Sequence, residues 1–271
     1  MTRTLAWRHE LRRQWGRTRT WWLGALVLAI PLVFVAAFAI GRNQVRGQAT
    51  SFIDLATLGS ANFTVFTLLM TGDLLLGIIA AMFLGDTVPS EASAGSLRYL
   101  LTVPVPRARL LTSKLVVGVA LTAAAIILLT TWSVLVGGVA YGFTAYQGFG
   151  GVVLDWPAIV PRLVLAVGYL FVTVLQVGAL AFFLGVRTDA PLAAVGGAML
   201  VVIVSAILDN LDALGDLRHA LPLHYSRAWL DLFQTQPDIG GVVHGTLWTI
   251  LYTIALLGAG YWHFLRKDAV S

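Results

Sequence analysis

Residues 21–40 read WWLGALVLAIPLVFVAAFAI, twenty consecutive positions without a charge. A helix needs about 20 apolar residues to cross the hydrocarbon of a bilayer, so this run has the length of one membrane span. The stretch before it carries Arg3, Arg8, Arg12, Arg13, Arg17 and Arg19. Ala37-Phe38-Ala39 has the small-residue pattern of a signal cleavage site, but a signal core is only about 7–15 residues long and its charged leader is shorter. The segment is therefore expected to be retained as a first span.

Five further apolar runs follow, at about 63–84, 115–140, 163–186, 191–208 and 242–265. Of the 271 residues 58% are hydrophobic and 11% charged, whereas soluble domains carry about 25% charged residues. That much apolar surface requires lipid to cover it. The expected fold class is all-α: a polytopic membrane protein of six transmembrane helices forming one transmembrane domain over residues 1–271.

Six spans place both termini on one side. With the N-terminus inside, thirteen Arg and Lys residues fall in inner segments and five (Arg42, Arg46, Arg162, Arg218 and Arg227) in outer ones. This split obeys the positive-inside rule and puts both ends in the cytoplasm, in a bacterial inner or plasma membrane. The net charge of +5 sits beside the ends of the apolar runs, where it meets lipid headgroups rather than nucleic acid. Read as a helix, the leader has Trp7, Leu11 and Trp15 on one stripe and His9, Arg13 and Arg17 on the other side, the pattern of a helix lying in the membrane interface. The long outer connections 41–62 and 209–241 contain Phe52, Ile53 and Leu55, and Trp229, Leu230, Leu232 and Phe233. Both read as short amphipathic helices.

The motifs of soluble catalysis are missing. Cysteine is absent, which removes disulfides, thiolate metal sites and thiol nucleophiles. No Gly-x-x-x-x-Gly-Lys-Ser/Thr loop, Gly-x-Ser-x-Gly elbow or His-Glu-x-x-His helix occurs, so no catalytic residue, metal ligand or cofactor is assigned and the chain is not expected to be an enzyme. His219 and His224 are five apart with Pro222 between them, a spacing that puts them on different faces of an α-helix.

One acid interrupts the second span. Asp73 costs about 2.5–3.5 kcal/mol at the centre of a bilayer. The eleven Val, Ile, Leu and Phe residues between Val65 and Leu84 return about 0.3–0.6 kcal/mol each, so insertion still wins. Asp73 shares its helix face with Gly77, Ala80 and Ala81, the small residues of a helix–helix contact, and so faces protein and needs a partner. It either lines a substrate or proton path or is a structural carboxyl. Gln176 in the fourth span poses the same choice.

The densest polar feature is residues 85–114, GDTVPSEASAGSLRYLLTVPVPRARLLTSK. Ser90 and Glu91 offer a helix start, Leu97, Leu100 and Leu101 one apolar face, and Pro104 and Pro106 a stop. A short amphipathic helix between two spans suits docking to a cytosolic partner. The alternative is a loop on the lipid surface.

This segment resembles the first cytoplasmic loop of the type 2 ABC exporter permeases, the membrane subunits of ATP-binding cassette transporters. Asp86, Glu91, Gly95, Leu97, Arg98, Leu100, Leu101, Pro104, Arg107 and Lys114 occupy the places of that pattern, with Ser96 where Thr is usual. The likeness extends to the Arg-rich leader with Glu10, to the six-span layout and to Pro-Leu-His-Tyr-Ser-Arg-Ala-Trp before the last span.

The resemblance implies a half-transporter. Two copies, or one copy and a paralogue, would form the pore and bind two cytosolic ABC ATPase subunits that hold ATP and Mg. The residues of the loop would form a coupling helix, and the short turn with Arg187 and Asp189 a second contact. The few charges in the spans favour a hydrophobic or amphipathic cargo such as a drug, peptide antibiotic or lipid. A secondary transporter or channel using Asp73 as a proton or ion site is the alternative, and an intramembrane enzyme a third.

Overall fold

The computed structural model describes residues 7–41, 52–90, 107–148, 151–188 and 190–266. They are almost entirely helical. Helix α1 (Trp7–Trp15) turns at Gly16 into α2 (Thr18–Gly41). A one-turn helix α3 (Phe52–Ala56) leads to α4 (Ser60–Gly72) and α5 (Leu75–Gly85). Then come α6 (Arg107–Tyr141), a small hairpin of β1 (Tyr146–Gln147) and β2 (Val153–Leu154), α7 (Trp156–Thr188) and α8 (Pro191–Asp209). Two 3-10 stretches, Asp212–Ala220 and Ala228–Phe233, precede α9 (Gly240–Arg266).

Five of these helices, α2, α6, α7, α8 and α9, are long and apolar enough to cross a membrane. Helices α4 and α5 pass the same test together but are bent by 54° at the break between them. The run expected as one straight helix over 63–84 is thus two helices meeting at Asp73. Its causes are local. Gly72 is a weak helix former, and Thr71 spends its hydroxyl on the Thr67 carbonyl at 2.6 Å, a back-bond that bends helices.

Helix α7 is the hub: α5, α8 and α9 all pack on it, while α6 packs on α2, α4 and α5. Small residues permit this closeness. A Cβ on Gly85 would lie 2.6 Å from Ala181 Cβ, and one on Gly118 would lie 2.8 Å from the Phe83 carbonyl oxygen. Phe63, Leu68, Ile79, Phe182 and Leu129 fill the buried centre. The outward faces remain apolar, with Trp22 72%, Leu192 85% and Ile254 67% exposed. A protein hydrophobic inside and out is solvated by lipid.

Within α2, Pro31 cannot donate to the helix ladder, and the nearby Leu28 carbonyl receives the Trp132 indole N–H of α6 at 2.8 Å. The bond ties α2 to α6; the carbonyl that Pro31 leaves without its ladder donor is that of Val27. Lys114 of α6 pairs with Glu10 of α1, and Thr112 of α6 lies 2.9 Å from the Tyr261 hydroxyl of α9. Both ends of the described chain therefore lie at one end of the bundle.

At the opposite end the connections are built into the fold. The Asn62 side chain donates to the Gln147 carbonyl at 2.7 Å and accepts from its N–H at 2.9 Å, acting as one residue of a neighbouring strand for β1. Tyr169 of α7 donates to the Tyr225 carbonyl, and Trp229, Leu232 and Phe233 are buried in the core. The amphipathic reading of the last connection holds in burial, but its turns are 3-10 rather than α.

A buried relay and a broken helix

Of the residues expected to act together at 85–114, the described pair Asp86 and Lys114 meets partners in α1 and α2. Glu91, Gly95, Leu97, Arg98, Leu100, Leu101 and Pro104 lie outside the described residues, as does Asp189; of the helix start expected at Ser90–Glu91 only Ser90 is described. Arg107 is the first residue of α6. Arg187 ends α7, exposed and stacked over Phe183 at 5.6 Å, where a cation suits the helix C-terminus.

Asp86 and Lys114, which bracket the segment, are both buried, at 8% and 2% exposure. A buried charge is tolerated only when paired. Asp86 is paired with Arg19 and, at 3.6 Å, with Arg17. Arg19 donates to Gln14 at 3.0 Å, and Gln14, itself 1% exposed, donates to Glu10 at 3.3 Å. Glu10 closes the chain on Lys114 at 3.6 Å. Asp86, Arg19, Gln14, Glu10 and Lys114 thus form one continuous relay from the end of α5 to the first turns of α6, and it runs through α1 and the first turn of α2. Arg17 also donates to Ser90 at 3.3 Å, and Ser90 donates to the Asp86 carbonyl at 2.6 Å.

The sequence reading placed α1 on the lipid surface by its tryptophans and missed this contact. The signal was Glu10, Gln14 and Arg17 at spacings of four and three, a polar stripe on one side of a short helix. Leu11 packs against the core, whereas Trp15 is 56% exposed and meets Trp21 edge-on.

Asp73 sits at the break between α4 and α5, its side chain 33% exposed, and accepts from Arg227 Nε at 3.1 Å. The expectation that it faces protein and has a partner therefore holds. Ala80 and Ala81 on the same face are fully buried. Arg227 precedes the second 3-10 stretch, so the pair ties the bend to the last connection. Gln176 is 4% exposed, and its Oε1 has no hydrogen-bond partner. It lines a cavity of about 210 Å³ between α7, α8 and α9.

His219 and His224 do not diverge as α-helical spacing requires. The intervening chain is 3-10 helix and turn, which brings their rings to 4.7 Å, with Tyr225 against both. Among the described residues no three His, Cys, Asp or Glu side chains are grouped to hold a metal ion.

Long apolar helices whose outer faces are also apolar define a multi-pass α-helical membrane protein. The chain belongs to the family described as "Protein of unknown function (DUF2705)", whose model matches residues 26–270. No curated protein matches it.

Proposed function

We propose that the chain is the membrane-spanning permease subunit of an ABC transporter, with six spans, both termini in the cytoplasm and ATP hydrolysed by a separate subunit. The cargo in this reading is hydrophobic or amphipathic and moves outward. A second copy or a paralogue completes the pore, and two cytosolic ATPases dock on residues 91–104. The observation that carries the reading is the relay from Asp86 to Lys114. A segment that receives force from a partner needs both of its roots fixed to the membrane helices, and this segment has both roots joined through α1.

Two further features support it. The end that holds the relay also holds Arg12, Arg13, Arg109, Arg187 and Arg266 among its described residues, as positive-inside topology requires of a cytoplasmic end. The break at Asp73 gives the second span a hinge between α4 and α5, and alternating access works through such bistable elements. The secondary-transporter reading draws on Asp73 as a proton or ion site. A carboxylate already matched by a guanidinium at 3.1 Å is better suited to a gate than to a carrier.

The test is co-purification. The tagged permease should bring down a P-loop ATPase encoded beside it, and Glu91→Arg or Leu100→Asp should abolish that without changing membrane insertion. Reaction of a cysteine introduced at position 95 with an impermeant thiol reagent in intact cells would refute the proposal, because it would put the segment on the outside.

A further inference from the structure

A cavity of about 670 Å³ opens at the end of the bundle opposite α1, within the size range of small-molecule sites. Its walls come from parts of the chain that are distant in sequence. Val65, Phe66 and Leu69 of α4 form an apolar floor, Tyr146 of the hairpin one wall, and the segment after the second 3-10 stretch the other. The Tyr146 and Phe233 rings meet at 5.6 Å, and burial raises the Tyr146 phenol above its ordinary value, so this wall stays neutral.

Among the described residues the only charged side chain lining the cavity is Asp231. Gln234 donates to its Oδ1 at 2.9 Å, which leaves Oδ2 for another donor. No cation among the described residues lies within ion-pair distance of it. Arg162 comes to the same rim but donates to the carbonyls of Leu232 and Gln234, at 3.1 and 2.5 Å. It braces the backbone that carries Asp231. Gln147 and Gln236 also line the cavity, and glutamine side chains carry an oxygen acceptor.

An apolar floor under one carboxylate selects both shape and charge. We propose that this cavity is a binding site for an amphipathic monocation, with an ammonium or guanidinium head on Asp231 and an apolar body over Val65, Phe66 and Leu69. An anionic amphipath of the same length is repelled by Asp231, and among the described residues the guanidinium at this rim, Arg162, is directed to the carbonyls of Leu232 and Gln234. The site lies at the far end of the molecule from the relay and needs no nucleotide, so it stands or falls apart from the ATPase reading.

The probe is a decylammonium bearing a terminal diazirine, applied to the full-length chain in nanodiscs of zwitterionic lipid without ATP. Cross-linked peptides are located by mass spectrometry. Saturable labelling is expected on residues 65–69 and 230–236, at least about tenfold above that by the matching decyl sulfate probe. Asp231→Asn should lower it about tenfold and Asp231→Glu should retain it, the lower end of what a charged hydrogen bond supplies. Equal labelling by the sulfate or by a neutral decyl glycoside probe would overturn the proposal, as would labelling confined to lipid-facing α8 and α9. Should Asp231→Asn fail to yield folded protein, competition on the unaltered chain decides. Decyltrimethylammonium must displace the probe and decyl sulfate must not; the reverse result overturns the site.

Discussion

Replacing Gly118 by alanine should loosen the protein where α6 approaches α5 most closely. The added Cβ would lie 2.8 Å from the Phe83 carbonyl oxygen and 3.3 Å from Leu84 Cγ, against 3.4–4 Å for ordinary contact. A backbone carbonyl inside a helix cannot rotate away, so the two helices must part by about 0.6 Å. Overpacking of this kind costs about 1–3 kcal/mol, and the rigid obstacle places this case in the upper half. Alanine also gains about 1 kcal/mol of helix propensity over glycine, which would mask part of the loss. Gly168 in α7 supplies the correction, because nothing lies within 4 Å of its Cβ position. Gly168→Ala collects the propensity gain without the clash. The difference between the two variants therefore isolates the overpacking, about 2–3 kcal/mol, or a factor of about 30 or more in the folded-to-unfolded ratio. Thermal unfolding in detergent should place Gly118→Ala below Gly168→Ala by roughly 4–8 °C or more. If Gly118→Ala melted at or above Gly168→Ala, the claim that α6 and α5 touch through backbone would be wrong.

The relay makes a non-additive prediction. Glu10→Ala removes a carboxylate from the buried Lys114 and from Arg13 and should lower the melting temperature, whereas Glu10→Gln combined with Lys114→Met, which removes both charges of the buried pair, should melt higher than that single variant. Asn62→Ala strips two hydrogen bonds from the Gln147 backbone and should cost about 1–3 kcal/mol; hydrogen exchange at the Gln147 amide should speed up while α7 amides do not. Asp73→Asn should change stability by less than about 1 kcal/mol, because Arg227 is 68% exposed. It should nonetheless reduce transport in reconstituted vesicles, and unchanged transport would leave the pair a structural role only.

The apolar runs were legible because hydropathy over about twenty residues is a local property. Their ends were less so. Helix α6 begins at Arg107 rather than at 115, and α7 begins at Trp156 rather than at 163, since both helices continue through the charged residues, Lys114 and Arg162, at which the apolar runs stop. Asp73 announced that it needed a partner, but the partner lies 154 residues away, and no periodicity links positions so distant. The hairpin was missed although Gly148, Gly150 and Gly151 separate Tyr146-Gln147 from Val153-Leu154, because two-residue strands are too short to show alternation. The relay was missed for a different reason. Tryptophan and arginine in the leader satisfied a lipid-surface reading, and the buried stripe of Glu10 and Gln14 rested on two residues.

The pairing of Asp73 with Arg227 also imposes an order on biosynthesis. At about 5–20 residues per second, the chain needs roughly 8–30 seconds to progress from one residue to the other. Throughout that interval the kinked second helix is already in the translocation machinery or the lipid with its acid unmatched. A nascent chain halted before codon 227 therefore keeps an unmatched carboxylate at the break between α4 and α5.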